Sequence, residues 1–205
     1  MIELAELVTE LSGIPDARVF FTTSGTEAND AALLLATSYR RSNQILALRN
    51  SYHGRSFSTV AITSHRSWSP TSLSGLSVNY VHGGYRLRSP FNDFDAAIKM
   101  IGKQTCAVLI EPIQGEGGVN SVKSGFLRHL RKLCNQNDAL LIFDEIQCGM
   151  GRTGKLFGYQ WDEQMDLKQN LFPDIVTMAK ALGGGLPIGA MLCTEKVAQS
   201  FKHGD

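Results

Sequence analysis

Short apolar segments alternate with helical segments along most of this chain, and this alternation limits the folds open to it. Seven segments have the length and apolar character of buried strands; they span residues 19–21, 45–48, 78–81, 106–110, 139–143, 174–178 and 189–193. Helical spacing predicts helices over residues 2–11, 26–39, 94–101, 125–135 and 195–202. Strands that alternate with helices favour a mostly parallel sheet with helices on both faces. We therefore expect an α/β fold with seven strands.

Composition narrows the classes of function. A net charge of +1 with 19% charged residues gives no reason to expect nucleic acid or an anionic membrane as partner. No apolar stretch is long enough to cross a membrane, and the first residues do not resemble a signal peptide. The four cysteines lack metal-ligand spacing, so no metal site is expected, and reduced thiols fit the cytoplasm. A mitochondrial location stays open as the alternative.

A lysine after the sixth apolar segment is the first candidate for chemistry. Ile175, Val176 and Met178 lead directly to Lys180, which is followed by Ala181, Leu182 and three glycines. Burial of an ammonium group is costly, and desolvation lowers the pKa of a lysine, which makes its amine a nucleophile able to form a Schiff base. The alternative is a strand end whose lysine extends into water.

A carboxylate, Asp144, follows the predicted strand 139–143. Ligand crevices in open α/β sheets lie at the carboxyl ends of strands, so Asp144 is placed to bind a ligand. In enzymes that use pyridoxal phosphate (PLP), a Schiff-base lysine is paired with an Asp on the ring nitrogen. Taken alone, Asp144 is better explained as an ordinary acid at a strand end.

The Ser-Gly-Thr turn at residues 24–26 joins the first predicted strand to a helix. Amide groups at a helix N-terminus, the helix dipole and nearby hydroxyl groups all favour a bound phosphate. The same residues fit a capping box, with Ser24 or Thr26 as the N-cap and Glu27 three residues after Ser24. The two interpretations are compatible.

Taken together, these features resemble the class III, PLP-dependent aminotransferases of fold type I. The matching stretches occur in the family's order and are residues 24–29, 51–56, 111–119, 144–154 and 173–189. The family includes the acetylornithine, ornithine, 4-aminobutyrate and alanine–glyoxylate transaminases. The resemblance implies the seven-stranded large domain of fold type I, PLP as cofactor, amino acids and 2-oxo acids as substrates, and a homodimer for the full-length family.

The resemblance also implies roles for individual residues. Lys180 would carry the cofactor as a Schiff base and then act as a general base. Asp144 would hold the ring nitrogen protonated, and Glu111 would support the floor of the site. The other implied cofactor contacts are Ser24, Gly25, Thr26, Tyr52 and Gln147.

Two substrate contacts follow from the same resemblance. Arg55 would clamp a substrate carboxylate with its bidentate fork, and Glu116 matches a glutamate that can pair with a C-terminal arginine. Tyr52 would stack on the ring, while His53 is expected to pack or hydrogen-bond rather than to catalyse. The alternatives are a core position for Tyr52, a surface salt bridge for Arg55 and a polar turn for Gln147.

Residues 1–205 are expected to form one PLP-binding large domain, without the N-terminal arm and C-terminal small domain of the family. The predicted function is transfer of an amino group from an amino acid or ω-amino acid to a 2-oxo acid, impaired in a chain of this length. Two alternatives remain: another PLP reaction on the same fold, such as that of an aminomutase, decarboxylase or racemase, or an inactive remnant that pairs with a full-length subunit. The amino donor and acceptor are left open.

Overall fold

A computed structural model describes residues 1–64, 68–69, 75–81, 99–162 and 172–202. The helices in these ranges are α1 (Ile2–Ser12), α2 (Gly25–Arg40), α3 (Phe57–Ile62), α4 (Phe126–Asn137) and α5 (Glu195–Ala198). The strands are β1 (Arg18–Thr22), β2 (Gln44–Leu48), β3 (Ser77–Val81), β4 (Thr105–Ile110), β5 (Ile113–Gln114), β6 (Asn120–Ser121), β7 (Leu140–Asp144), β8 (Ile175–Met178) and β9 (Gly189–Cys193). Short 3-10 helices cover Gly158–Trp161 and Lys180–Gly183.

Seven strands form one sheet in the order β1-β9-β8-β7-β4-β2-β3, and β5 and β6 form a separate hairpin. The pairs β2-β3, β2-β4, β4-β7 and β7-β8 are parallel. Strand β9 is antiparallel to both β8 and β1. Residues 179–188, which join β8 to β9, are fewer than the dozen or more that a parallel crossover needs. The predicted mostly parallel sheet is confirmed, with β9 as its reversed strand.

Helices cover both faces of the sheet, as predicted. Leu46 and Leu48 belong to the core cluster that includes α4, whereas Ile45 and Ala47 belong to the cluster that includes α2. This division follows from the period of two in a strand, which sends successive side chains to opposite faces. Burial on both faces explains why β4, β7, β8 and β9 are buried at every position.

The strand directions bring several chain segments to one edge of the sheet. Strands β2, β4, β7 and β8 are mutually parallel, so their carboxyl ends meet at that edge. Strand β1 runs the same way because it is antiparallel to the reversed β9, whose first residue, Gly189, pairs with Thr22 at the end of β1. A side chain on Gly189 would collide with the carbonyl oxygen of Ser24, so the turn that follows β1 packs closely on the start of β9.

The predicted helices differ from the observed ones in places. Helix 195–202 is wrong in length, since α5 ends at Ala198; the amides of Ser200 and Phe201 donate to carbonyls three residues back, which tightens the chain out of α-helical geometry. Residues 94–98 of the predicted helix 94–101 lie outside the described residues. Helix α3 and the β5–β6 hairpin were not predicted, because both are too short for a clear periodic pattern.

A buried ion pair fixes α4 on the sheet. Nη1 of Arg131 lies 2.6 Å from Oδ2 of Asp174, just before β8, and also donates to the carbonyl of Phe172. The same carboxylate oxygen accepts the amide of Leu141 at 2.7 Å, in the neighbouring strand β7. The pair therefore joins α4 to two central strands, with the Arg131 side chain only 5% exposed.

We expect Asp174→Ala to lower the free energy of unfolding by about 3 kcal/mol, because it leaves a buried guanidinium without its counterion. The exposed pair of Lys103 and Asp138, 4.0 Å apart, provides the control. Lys103→Ala should cost less than about 1 kcal/mol. Urea unfolding measures both, and equal losses in the two variants would contradict the importance of the buried pair.

Candidate active site

A cavity of about 300 Å³ opens at the edge of the sheet where the strand ends meet. Its walls come from the segments that follow β1, β2, β4, β7 and β8, and from the residues that precede β9. The seven residues that the sequence assigned to a cofactor all line it: Ser24, Gly25, Thr26, Tyr52, Asp144, Gln147 and Lys180. The fold therefore brings these residues together, although they lie up to about three quarters of the chain apart in sequence.

The N-terminus of α2 forms one end of this cavity. Ser24 is the N-cap, and its Oγ accepts the amide of Glu27 at 3.2 Å; the Glu27 carboxylate in turn accepts from the amide and hydroxyl of Thr23. Gly25 and Thr26 occupy the first turn, where amides have no carbonyl partner within the helix. Ser24 therefore caps the helix, and the residues of the cap and first turn line the cavity. A side chain at Gly25 would collide with Ile146 at 2.8 Å, so this position needs glycine for packing.

The carboxylate of Asp144 is buried and held by three donors. Oδ2 accepts from Nδ2 of Asn29 at 2.8 Å and lies 2.7 Å from Nδ1 of His53, while Oδ1 accepts the amide of Ile146 at 3.1 Å. The donors come from α2, the segment after β2 and the turn after β7. They compensate the cost of removing the charge from water and fix the direction of the carboxylate.

Lys180 lies at the cavity, and of the two alternatives for this residue the structure shows the second, a lysine beyond the strand end that extends towards water. The residue is exposed, because β8 ends at Met178 and Lys180 starts the 3-10 helix beyond it. Its φ of 46° is in the left-handed region that residues other than glycine rarely adopt. Nζ donates a short hydrogen bond to Oε1 of Gln147, across the mouth of the cavity.

A second cavity of about 530 Å³ adjoins the first, and Ile146, Gln147 and Lys180 line both. Arg152 also lines the second cavity, although the sequence reasoning gave it no role of its own. The predicted substrate residues lie elsewhere: Arg55 and Glu116 are exposed and line neither cavity. Their roles stay predictions.

Two further buried carboxylates surround Asp144. Burial raises the pKa of Glu111 to about 7, with Asp144 adding to the rise, while the charge of His53 and the amides of Gly115 and Tyr52 oppose it. Glu111 lines the cavity, which agrees with its predicted place on the floor.

Glu145, the residue after Asp144, is fully buried, and no role was predicted for it. Its carboxylate accepts the amides of Gly158 and Tyr159, both at 2.8 Å, and the thiol of Cys148 at 3.0 Å. Burial raises its pKa to about 7 despite these three donors. Glu145 thus anchors the loop that carries Ile146 and Gln147 past the cavity.

Sequence reasoning missed Asn29 and left His53 outside the catalytic set, yet both contact Asp144 directly. Asn29 was inside a matching stretch, and a polar residue on the apolar side of a helix is a usable signal: α2 buries Ala28, Asn29, Ala32 and Leu33 together. The buried Glu145, directly after a strand, carries the same kind of signal.

The structure is an open α/β fold in which a helix N-terminus, a lysine amine and a buried carboxylate line one cavity. Residues 1–205 match the family model for class-III aminotransferases. The chain belongs to this family. Among the described residues, no helix combines the length and apolar character needed to cross a bilayer. The four cysteines are free and buried.

Individual relatives agree with this assignment. The chain is 42% identical over 207 residues to an acetylornithine aminotransferase of Methanothermobacter thermautotrophicus, covering 100% of this chain and 48% of that protein. It is 45% identical over 199 residues to a succinylornithine transaminase of Yersinia pseudotuberculosis, covering 91% of this chain and 45% of that protein. An ornithine aminotransferase structure from Toxoplasma gondii, with partial occupancy of PLP at its active site, superposes with a TM-score of 0.84 at 28% identity, covering 98% of this chain and 46% of that one. The chain spans about half the length of the curated relatives it matches.

We expect Glu111→Gln to change the pH dependence of stability. A folded-state pKa of about 7, above the ordinary glutamate value of 4.5, means that between these two pH values the folded chain holds a proton that the unfolded chain loses. The stabilisation that Glu111 contributes to the wild type is fully present below pH 4.5 and is lost as the pH rises to about 7. The wild type should therefore lose on the order of 3 kcal/mol relative to the variant across this window.

Urea unfolding at several pH values measures that difference. Glu116→Gln, which alters an exposed carboxylate in the same segment, is the control and should leave the pH dependence unchanged. A difference between wild type and Glu111→Gln that stays constant from pH 4.5 to 7 would contradict the raised pKa.

Proposed function

We propose that this chain binds PLP in the cavity at the sheet edge and carries the catalytic lysine of a transaminase. The observation that carries this proposal is the shared cavity: Lys180, Asp144 and the N-terminus of α2 all line it. A lysine amine, a buried carboxylate and an anion-binding helix end correspond to the three functional ends of PLP, namely the aldehyde, the ring nitrogen and the phosphate.

The residues fit the charge pattern of this cofactor. The first-turn amides of α2 and the hydroxyl group of Thr26 suit a phosphate dianion, and the hydrogen-bonded carboxylate of Asp144 suits a protonated ring nitrogen. Tyr52 lines the cavity and offers an aromatic face, its own ring packed edge-on against Trp68 at 5.4 Å. When bound, the cofactor supplies an electron-withdrawing ring that stabilises negative charge at the substrate carbon.

Residues of the chain supply the remaining steps. Nζ of Lys180 would hold the cofactor, and the same amine would serve as the base that takes up and returns the proton moved during amino transfer. Gln147 holds Nζ of Lys180 at the border of the two cavities, where it can reach a substrate in the second one. Asp144, whose carboxylate is held by Asn29 and by the amide of Ile146, would bind the protonated ring nitrogen.

The relatives support a particular class of amino donor. The two curated relatives at 42% and 45% identity are acetylornithine and succinylornithine transaminases, whereas the ornithine aminotransferase is 28% identical, so we propose an N-acylated ornithine as donor and a 2-oxo acid as acceptor. Arg55 is the proposed clamp for a substrate carboxylate, and Glu116 is proposed to pair with an arginine. The free thiols support a reducing compartment such as the cytoplasm.

A second copy of the chain is the proposed partner. Val119 and Leu186 are 78% and 75% exposed and lie on the walls of the second and first cavity, respectively. Large apolar side chains exposed beside a binding site are typical of a surface that another chain covers. The fold family's homodimer supports the same arrangement.

The experiment combines PLP titration with borohydride reduction and peptide mapping. The purified 205-residue chain should develop visible absorbance with PLP, and reduction should label Lys180. Lys180→Ala should lose the label, and Asp144→Ala should raise the Kd for PLP about tenfold or more, the equivalent of about 1.4 kcal/mol. Lys103→Ala, which changes an exposed lysine far from the cavity, should behave as wild type.

Turnover is measured separately with N-acetylornithine and with 2-oxoglutarate, pyruvate or glyoxylate as acceptor. Formation of the amino acid from the acceptor supports a transaminase. Binding of PLP combined with loss of carbon dioxide, or with product formation that needs no 2-oxo acid, would replace this activity with another PLP reaction. Labelling of a lysine other than Lys180 would reject the site itself.

A further inference from the structure

We propose that Asn29 is a positioning residue that sets the orientation of the Asp144 carboxylate and couples it to the strand leading to Lys180. This inference rests on the proposed function, because Asp144 is assigned there to the ring nitrogen of PLP. Asn29 does not line the cavity, so it would act through Asp144 and not by touching the cofactor.

The side chain of Asn29 is completely buried and uses all of its hydrogen-bonding groups. Nδ2 donates to Oδ2 of Asp144 and to the carbonyl oxygen of His53, both at 2.8 Å. Oδ1 accepts the hydroxyl hydrogen of Thr177 at 2.8 Å. An amide is the side-chain group that supplies two donors and an acceptor from one plane.

The three partners of Asn29 come from three different parts of the site. His53 follows β2, Asp144 ends β7, and Thr177 lies in β8, three residues before Lys180. Thr177 is also the sheet partner of Asp144, and its carbonyl accepts the amide of Glu145. Asn29 therefore fixes the relative position of the segments that deliver the carboxylate and the amine.

Charge explains why an amide suits this position. Asp144 already lies close enough to Glu111 and Glu145 to raise the pKa of both carboxyl groups. An aspartate at position 29 would have the same shape, yet it would place an acceptor against two acceptors, Oδ2 of Asp144 and the carbonyl of His53. Repulsion of this kind moves the carboxylate that the ring nitrogen is proposed to contact.

The test uses Asn29→Asp and Thr177→Val, with Asn43→Asp and Thr37→Val as matched controls. Asn43 is exposed and Thr37 bonds only to carbonyls of its own helix, so both controls repeat the chemical change away from the site. Two quantities are measured on each variant: the Kd for PLP, and the visible circular dichroism per bound PLP, which reports how the ring is oriented in its site.

Asn29→Asp should raise the Kd for PLP about tenfold or more and at least halve the visible circular dichroism per bound PLP, since a buried hydrogen bond to a charged group is lost. Thr177→Val, which only releases Oδ1 of Asn29, should raise the Kd about threefold to tenfold. Both controls should match the wild type.

The outcomes separate this inference from the proposed function. If the wild type binds PLP and both Asn29→Asp and Thr177→Val retain its Kd and its dichroism, Asn29 is a packing residue only and the inference is overturned. If the two variants have a lower melting temperature but the same visible dichroism per bound PLP as the wild type, the positioning role of Asn29 is also rejected. If Asn29→Asp does not fold, Thr177→Val decides by itself. A wild type that binds no PLP overturns the proposed function and this inference together.

Discussion

A buried negative charge at Asp144 needs compensation, and the surrounding structure is organised to supply it. Three donors reach the carboxylate from Asn29, His53 and the amide of Ile146. Without them, burial of an ionised carboxylate would cost several kcal/mol. Because the donors come from α2, from the segment after β2 and from the turn after β7, this one charge determines how those segments approach each other.

The direction of the strands places the other groups around that charge. Parallel strands β2, β4, β7 and β8 end at one edge, and the reversed β9 begins there. Asp144 is the last residue of β7, and Lys180 follows β8, its neighbour in the sheet. Sheet topology therefore brings the carboxylate of Asp144 and the amine of Lys180 to one cavity. The N-terminus of α2 lines the same cavity and offers its amides to an anion.

The strands, the strand-end residues Asp144 and Lys180 and the turn at residues 24–26 could be predicted from local rules, whereas Tyr52 and Gln147 were predicted only from the family resemblance. Apolar segments define strands, and polar residues directly after them, such as Asp144 and Lys180, occupy a shared edge. The sequence alone could not decide whether Lys180 is buried or extends into water, since this depends on a left-handed turn beyond the strand. The role of Asn29 was also hidden, because its partners Asp144 and Thr177 lie 115 and 148 positions away in sequence. Contacts of that range are set by the packing of helix on sheet.

The central claim is that Lys180 and Asp144 act on opposite ends of one ring. A crystal structure of this chain grown with PLP tests it most directly. We expect electron density continuous from Nζ of Lys180 to the cofactor, a ring nitrogen within hydrogen-bond distance of the Asp144 carboxylate, and the phosphate at the first-turn amides of α2. A cofactor bound to another lysine, or a ring nitrogen directed away from Asp144, would contradict it.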